Sequence, residues 1–283
     1  MSKIDFDPRC TPARPDLADI DLQGTIHATR YVTGERGRIG VACTGLYPQP
    51  DATQEMQTEL LFGEAFNVLE TTENWVWGQA MRDGYVGYLA RTALSDMLEP
   101  DHWVSALRTP IFQWPDLKAP ISGFLHRNSW VNVAETSDVY CDVGPGWVHK
   151  AHISALDVWA KDFINIALSY LHAPYVWGGR SSSGLDCSAL VQNALFACGI
   201  KCLRDTDMQE ETVGEKIAFD GDLSTLQRGD LLFWKGHVGI MAETDILLHA
   251  NAYHMATALE PVDTAIARIQ STIGPVRTVR RLP

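Results

Sequence analysis

The sequence predicts a multi-domain chain: two small all-β barrels followed by an α+β domain. Three observations lead there. At 283 residues the chain exceeds one typical domain. Residues 24–156 show short apolar runs broken by turn residues, in two successive units. From residue 157 on, helix-spaced segments are followed by strand-like runs. The expected boundaries are an N-terminal arm over 1–23, barrels over 24–98 and 99–156, and the α+β domain over 157–283.

The arm is rich in Pro and Asp and reads as an extended segment that wraps a neighbouring surface or stays partly mobile. In the first barrel, Leu60–Glu64 and Ala65–Leu69 read as strands. Trp75–Ala80 alternates, Arg82-Asp83-Gly84 turns, and Tyr85–Leu89 returns. The second barrel repeats this more loosely. Thr109–Asp116 corresponds to the earlier Pro/Asp-rich stretch Gly45–Asp51, and Gly146-Trp147-Val148 to Gly87-Tyr88-Leu89.

Residues 157–172 carry apolar side chains at 159, 163, 166, 167 and 170, which is helical spacing, and Ala173-Pro174 ends it. A Gly/Ser-rich turn then leads to Asp186, a good N-cap, and an apolar run from Cys187 stops at Gly199. Cys187 therefore opens a helix, where free N–H groups and the dipole favour a thiolate and can hold an oxyanion. Residues 200–230 read as loop with one short helix. Gly236–Met241 and Ile246–Ala250 form a hairpin around Glu243-Thr244-Asp245. If 242 pairs with 246, then 239 faces 249, and His237 and His249 share one face on a diagonal, roughly 7–8 Å apart. A slip of one residue would separate them. Residues 255–283 read as a variable segment and a last strand near 274–281, whose basic end is expected to be a solvated edge.

Composition narrows the partners. Net charge is −12, which argues against nucleic acid and anionic lipid surfaces. No stretch approaches the length of a membrane span. The first residues lack the apolar core of an export signal, so a cytoplasmic location is expected. The six cysteines, at 10, 43, 141, 187, 198 and 202, then read as reduced thiols. The remaining histidines show no close ligand pattern, so neither metal nor cofactor is expected.

Asp186-Cys187-Ser188, Gly236-His237-Val238-Gly239 and His249, with the Trp177-Gly178-Gly179 turn, resemble the Cys-His-His motif of NlpC/P60 cysteine peptidases. The resemblance covers about residues 157–283. It departs at Ala189, where the family commonly has Gly. It implies a papain-like α+β domain with Cys187 as nucleophile, His237 as base and His249 as its orienting partner. Beside it, the two barrels look like bacterial SH3 (SH3b) domains.

The combination is similar to γ-D-glutamyl-L-diamino-acid endopeptidases (the dipeptidyl-peptidase VI type), which act on murein tri- or tetrapeptides carrying a free N-terminal L-Ala. The resemblance implies substrate contacts from Asp186, Ser188 and Thr206, and from a Tyr and a Glu of the first barrel. Tyr85 is favoured over Tyr88, which is expected to be core, and Glu55 over Glu59. An ammonium in a closed pocket needs a carboxylate, supplied by Asp186 or Glu55. A cytoplasmic enzyme of this kind would serve murein peptide recycling. The competing readings are a hydrolase of intact peptidoglycan, a non-catalytic SH3b-based binding module, and an acyltransferase on the same scaffold.

Overall fold

The computed structural model describes residues 6–96 and 99–283. The first five residues of the expected arm, and residues 97 and 98 at the end of the first expected barrel, lie outside the described residues. The chain divides into two compact units, Met1–Leu156 and Asp157–Pro283.

In the N-terminal unit, strands Val86–Ala90, Trp75–Ala80, Ala65–Thr71, Glu35–Ile39 and Leu94–Ser95 form one antiparallel sheet in that spatial order. A ribbon of Cys43–Leu46 and Thr58–Leu61 crosses it, tied by reciprocal Tyr47–Tyr88 backbone bonds. At the crossing, a Cβ on Gly87 would lie 2.8 Å from the Tyr47 carbonyl oxygen, so only glycine fits. From Phe6 onward the arm packs against this sheet. Leu17 is fully buried with Leu69 and Trp77, and the Arg14 guanidinium lies 4.3 Å over the Trp77 ring. Arg14 also bonds the Tyr88 hydroxyl and Glu70, so half-buried Tyr88 carries a polar contact that core residues lack.

Residues 102–155 build a second β portion, with a three-stranded and a five-stranded sheet around Val104, Ile111, Leu125, Val131 and Val148. Phe62, from the first portion, completes that core. Gly63 beside it has φ +78, and a Cβ there would strike the Trp130 carbonyl. The Glu64–Arg82 ion pair is buried along the same seam, with Arg82 4.4 Å over the Trp130 ring. The two β portions therefore share one seam of packing.

In the C-terminal unit, six antiparallel strands lie in the order Glu215–Ile217, Thr278–Arg281, Leu231–Trp234, His237–Met241, Ile246–Asn251, Ala256–Pro261. Helix α1 spans Phe163–Leu168, α2 Cys187–Ala197, α3 Thr206–Thr212 and α4 Val262–Gln270. Helix α1 is much shorter than the expected 157–172, because Asp162 caps it by accepting from Ile164 N–H and Asn165 N–H. It packs on α2. Ten of the eleven residues of α2 are buried, and α2 ends at Gly199, φ +73, the stop expected from the sequence.

Two expectations for the C-terminal segment are corrected. The variable stretch is a strand and a helix, with α4 packing Val262, Ala265 and Ile269 on Leu232, Trp234, Met241 and Leu247. The basic strand is not a solvated edge. It lies between Glu215–Ile217 and Leu231–Trp234, and Arg281 makes a bidentate pair with fully buried Asp230, at 2.6 and 2.7 Å.

Candidate active site

The hairpin takes the register that brings its histidines together. Ile240 stands opposite Leu248 and Met241 opposite Leu247, and the Ala242 N–H donates to the Ile246 carbonyl. His237 and His249 consequently share a face, with His237 Nε2 2.9 Å from His249 Nδ1. The pattern continues on the next strand. His249 pairs with Ala258 and Leu247 with Glu260, so Glu260 joins the same face, 3.2 Å from His249 Nε2. Arg268, reaching back from α4, donates to both Glu260 oxygens at 3.1 and 2.6 Å.

Cys187 is the first residue of α2 and only 6 % exposed. The Val238 N–H, one residue past His237, favours its thiolate, and Thr206 Oγ1 lies 3.8 Å from the sulfur. Asp186 caps α2 through Ala189 N–H at 2.8 Å. Its carboxylate also accepts from Gly178 N–H and, bidentately, from Arg204, which is buried. Ser188 Oγ donates to Asp186 and accepts from Arg204 at 2.8 Å. Gln209 of α3 bonds the Ser188 and Leu203 carbonyls and ties this network to α3, on which Thr206 is the first residue.

The electrostatics differ from the thiolate expected at a helix N-terminus. Burial, followed by the Asp186 charge, pushes the Cys187 thiol up to about 11, against help from Val238 N–H, Thr206 and Arg204. Burial first, then His249 and Arg268, pushes His237 down to about 3. Burial pushes His249 down to about 4, although Glu260 pulls it up. A helix terminus is worth about 0.3–1 kcal/mol, less than one pKa unit, and full burial moves a group by several units. Burial therefore favours the neutral form of the thiol and of both imidazoles.

Alkylation of Cys187 by iodoacetamide, followed on its own peptide by mass spectrometry, is expected to rise about tenfold per pH unit from about pH 7 to pH 10. A plateau across the acidic and neutral range would instead reveal a resting thiolate–imidazolium pair.

Cys187, His237, His249, Asp186, Ser188 and Thr206 all belong to this one assembly. Tyr85 and Glu55 belong to the N-terminal unit. Tyr85 is buried and lines, with Arg14, Trp77 and Tyr88, a hollow of about 280 Å³. Glu55 is exposed, ahead of the Thr58–Leu61 strand. Sequence reasoning missed Arg204, Glu260 and Arg268, and also Tyr175, whose phenol is raised by burial and by its proximity to Cys187 and Asp186. His249, His254 and Glu260 hold possible ligand atoms within 4.8 Å of one another. The Arg268 guanidinium already stands 2.6 Å from Glu260 Oε2, so a divalent ion there would have to displace it.

Residues 172–270 match the NlpC/P60 family. The chain carries an NlpC/P60 peptidase domain. Its residues 46–94 match the bacterial dipeptidyl-peptidase SH3 domain. Dipeptidyl-peptidase 6 of Lysinibacillus sphaericus is 27 % identical to this chain over 232 residues, 73 % of this chain and 84 % of that one. Gamma-D-glutamyl-L-lysine dipeptidyl-peptidase of Bacillus subtilis (strain 168) is 27 % identical over 230 residues, 69 % and 72 % of the two chains. The crystal structure of an NlpC/P60 family protein from Bacillus cereus ATCC 10987 shares the fold, with TM-score 0.73 and 20 % identity over 88 % of this chain and all of that one.

Proposed function

We propose that this peptidase cleaves the γ-D-Glu–diamino acid bond of murein tri- or tetrapeptides with a free N-terminal L-Ala, releasing L-Ala-γ-D-Glu. The observation that carries the reading is the His237–His249 pair at 2.9 Å, on the strand whose Val238 N–H favours the Cys187 thiolate. Similarity to proteins named dipeptidyl-peptidase 6 and gamma-D-glutamyl-L-lysine dipeptidyl-peptidase supports the substrate class.

In this mechanism the Cys187 thiol passes its proton to His237 as sulfur attacks the γ-carbonyl carbon. Because His237 Nε2 is bonded to His249, the accepting nitrogen is Nδ1. His237 then protonates the departing amine of the diamino acid, and the acyl group remains on sulfur as a thioester. Water, activated by the same imidazole, hydrolyses it and restores the thiol. His249 holds the His237 ring throughout, and the α2 N-terminus receives the oxyanion.

The N-terminal arm over 1–23, SH3b modules over 24–98 and 99–156, and the catalytic domain over 157–283 complete this reading. Within it, Asp186, Ser188, Thr206, Tyr85 and Glu55 bind the substrate, with a carboxylate meeting the alanine ammonium. The enzyme works in the cytoplasm on peptides being recycled, and its six free thiols suit a reducing compartment.

The test compares hydrolysis of L-Ala-γ-D-Glu-L-Lys and its diaminopimelate counterpart with the same peptides acetylated on alanine. Acetylation removes the charge of the ammonium, and the expected loss is about 100-fold or more in kcat/KM. Equal rates on free and acetylated peptides, or cleavage of intact sacculi alone, would overturn the proposal.

A further inference from the structure

The two histidines leave one question of chemistry. An imidazole between two partners can carry its proton on either nitrogen, and only one arrangement leaves His237 able to take a proton from sulfur. The chain of contacts past His249 decides which. Glu260 accepts from Arg268 through both oxygens. Held this way, the carboxylate is an acceptor only, and its pKa lies below the ordinary range despite burial, because of Arg268 and His249. His249 Nε2, 3.2 Å from it, must therefore carry the proton. His249 Nδ1 is then an acceptor, so His237 Nε2, 2.9 Å away, must donate. That leaves the His237 Nδ1 lone pair free.

We infer that Glu260, clamped by Arg268, is a positioning residue that selects the tautomer of His249 and, through it, the base-competent tautomer of His237. The inference rests on the peptidase reading of Cys187 and His237. No proton moves to Glu260 in the cycle. Both proton passages run through His237 Nδ1: from Cys187 Sγ to the leaving amine in acylation, and from water back to sulfur in thioester hydrolysis.

Glu260 meets His249 from the neighbouring strand and Arg268 from α4. His249 also meets His237 and, from the following loop, His254, with ring centroids 6.2 Å apart. His254 itself is anchored through Nδ1 to Asn251 Oδ1 at 3.0 Å, so it does not compete for the carboxylate. The opposite charge of Arg268 matters as much as its grip. A lone buried carboxylate would draw a proton onto the histidine pair at neutral pH. The guanidinium offsets that pull, leaving both rings neutral while keeping the acceptor in place. Arg268 is fixed in turn by Tyr253, over whose ring it lies at 4.3 Å.

The experiment uses the full chain with labelled imidazole nitrogens. Wild-type protein is expected to show His237 and His249 both protonated on Nε2. In Glu260→Gln the amide can serve either tautomer, so both rings are expected to shift toward a mixture, with kcat falling severalfold at unchanged KM. In Glu260→Leu nothing accepts from Nε2. The rings are expected to switch to Nδ1–H, and kcat/KM to fall about 10–100-fold, as when an outer hydrogen-bond partner of a working histidine is removed. If the leucine variant fails to fold, the glutamine variant decides.

Wild-type nitrogen shifts at His237 together with kcat within about twofold in Glu260→Gln would overturn the inference and leave Glu260 a structural residue. If the wild-type protein cleaves no murein tripeptide, the substrate proposal falls, and the nitrogen shifts alone then confirm or refute the role of Glu260.

Discussion

Replacing Cys187 by alanine is expected to abolish hydrolysis of L-Ala-γ-D-Glu-L-Lys, a loss of at least about 10⁴-fold, while the fold survives. The side chain is small, sits at the first turn of α2, and its sulfur lies 3.8 Å from Thr206 Oγ1. Its deletion removes a single sulfur, so the thermal transition should move by no more than a few degrees. His237→Ala is expected to cost nearly as much. Because the two residues act in one step, the double variant should be no worse than Cys187→Ala alone. Steady-state rates and thermal melts on the three variants check this. Retained turnover in Cys187→Ala would place the chemistry elsewhere, and an additive double variant would mean that His237 acts apart from the thiol.

Local signals in the sequence carried a good deal of this. The α2 boundaries were readable because a side-chain cap and a positive-φ glycine act within one turn of the helix, at Asp186 and Gly199. The histidine face was readable because a short hairpin leaves few registers, and the 242–246 pairing fixes the rest. What stayed hidden depends on partners distant in sequence. Whether Thr278–Arg281 is an edge or an interior strand is decided by residues 215–217 and 231–234 on either side of it.

Helix α4 had a signal, since Val262, Ala265, Ile266 and Ile269 follow helical spacing after Pro261, but the reading passed over it. With α4 unseen, Arg268 had no place, and Glu260 was one acid among many. The forces opposing the thiolate were not legible. The favourable helix end was visible, but the burial of Cys187 and the Asp186 charge beside it outweigh it, and burial cannot be read from spacing.

Asp186→Asn separates structure from reactivity at this site. Asparagine is as good an N-cap as aspartate, so the bond from Ala189 N–H can persist. The other side-chain atom becomes an amide donor facing Gly178 N–H and the Arg204 guanidinium, which both need an acceptor. Arg204, 1 % exposed, loses the carboxylate of its bidentate pair. Breaking a buried pair from one side costs about 3–5 kcal/mol, so the thermal transition should fall by roughly 10 °C. The thiol should respond in the opposite sense. Asp186 raises its pKa and Arg204 lowers it, so removing the carboxylate lowers it on both counts. Iodoacetamide should therefore label Cys187 faster at neutral pH in Asp186→Asn than in wild type, by about tenfold for each unit the pKa falls. A second change, Arg204→Met, should recover most of the lost stability, because an apolar replacement of both partners avoids the buried charge. The same change should slow the labelling again, because the cation that favoured the thiolate is gone. Unchanged labelling in the single variant would mean that the Asp186 charge does not govern the thiol, and that burial alone holds it protonated.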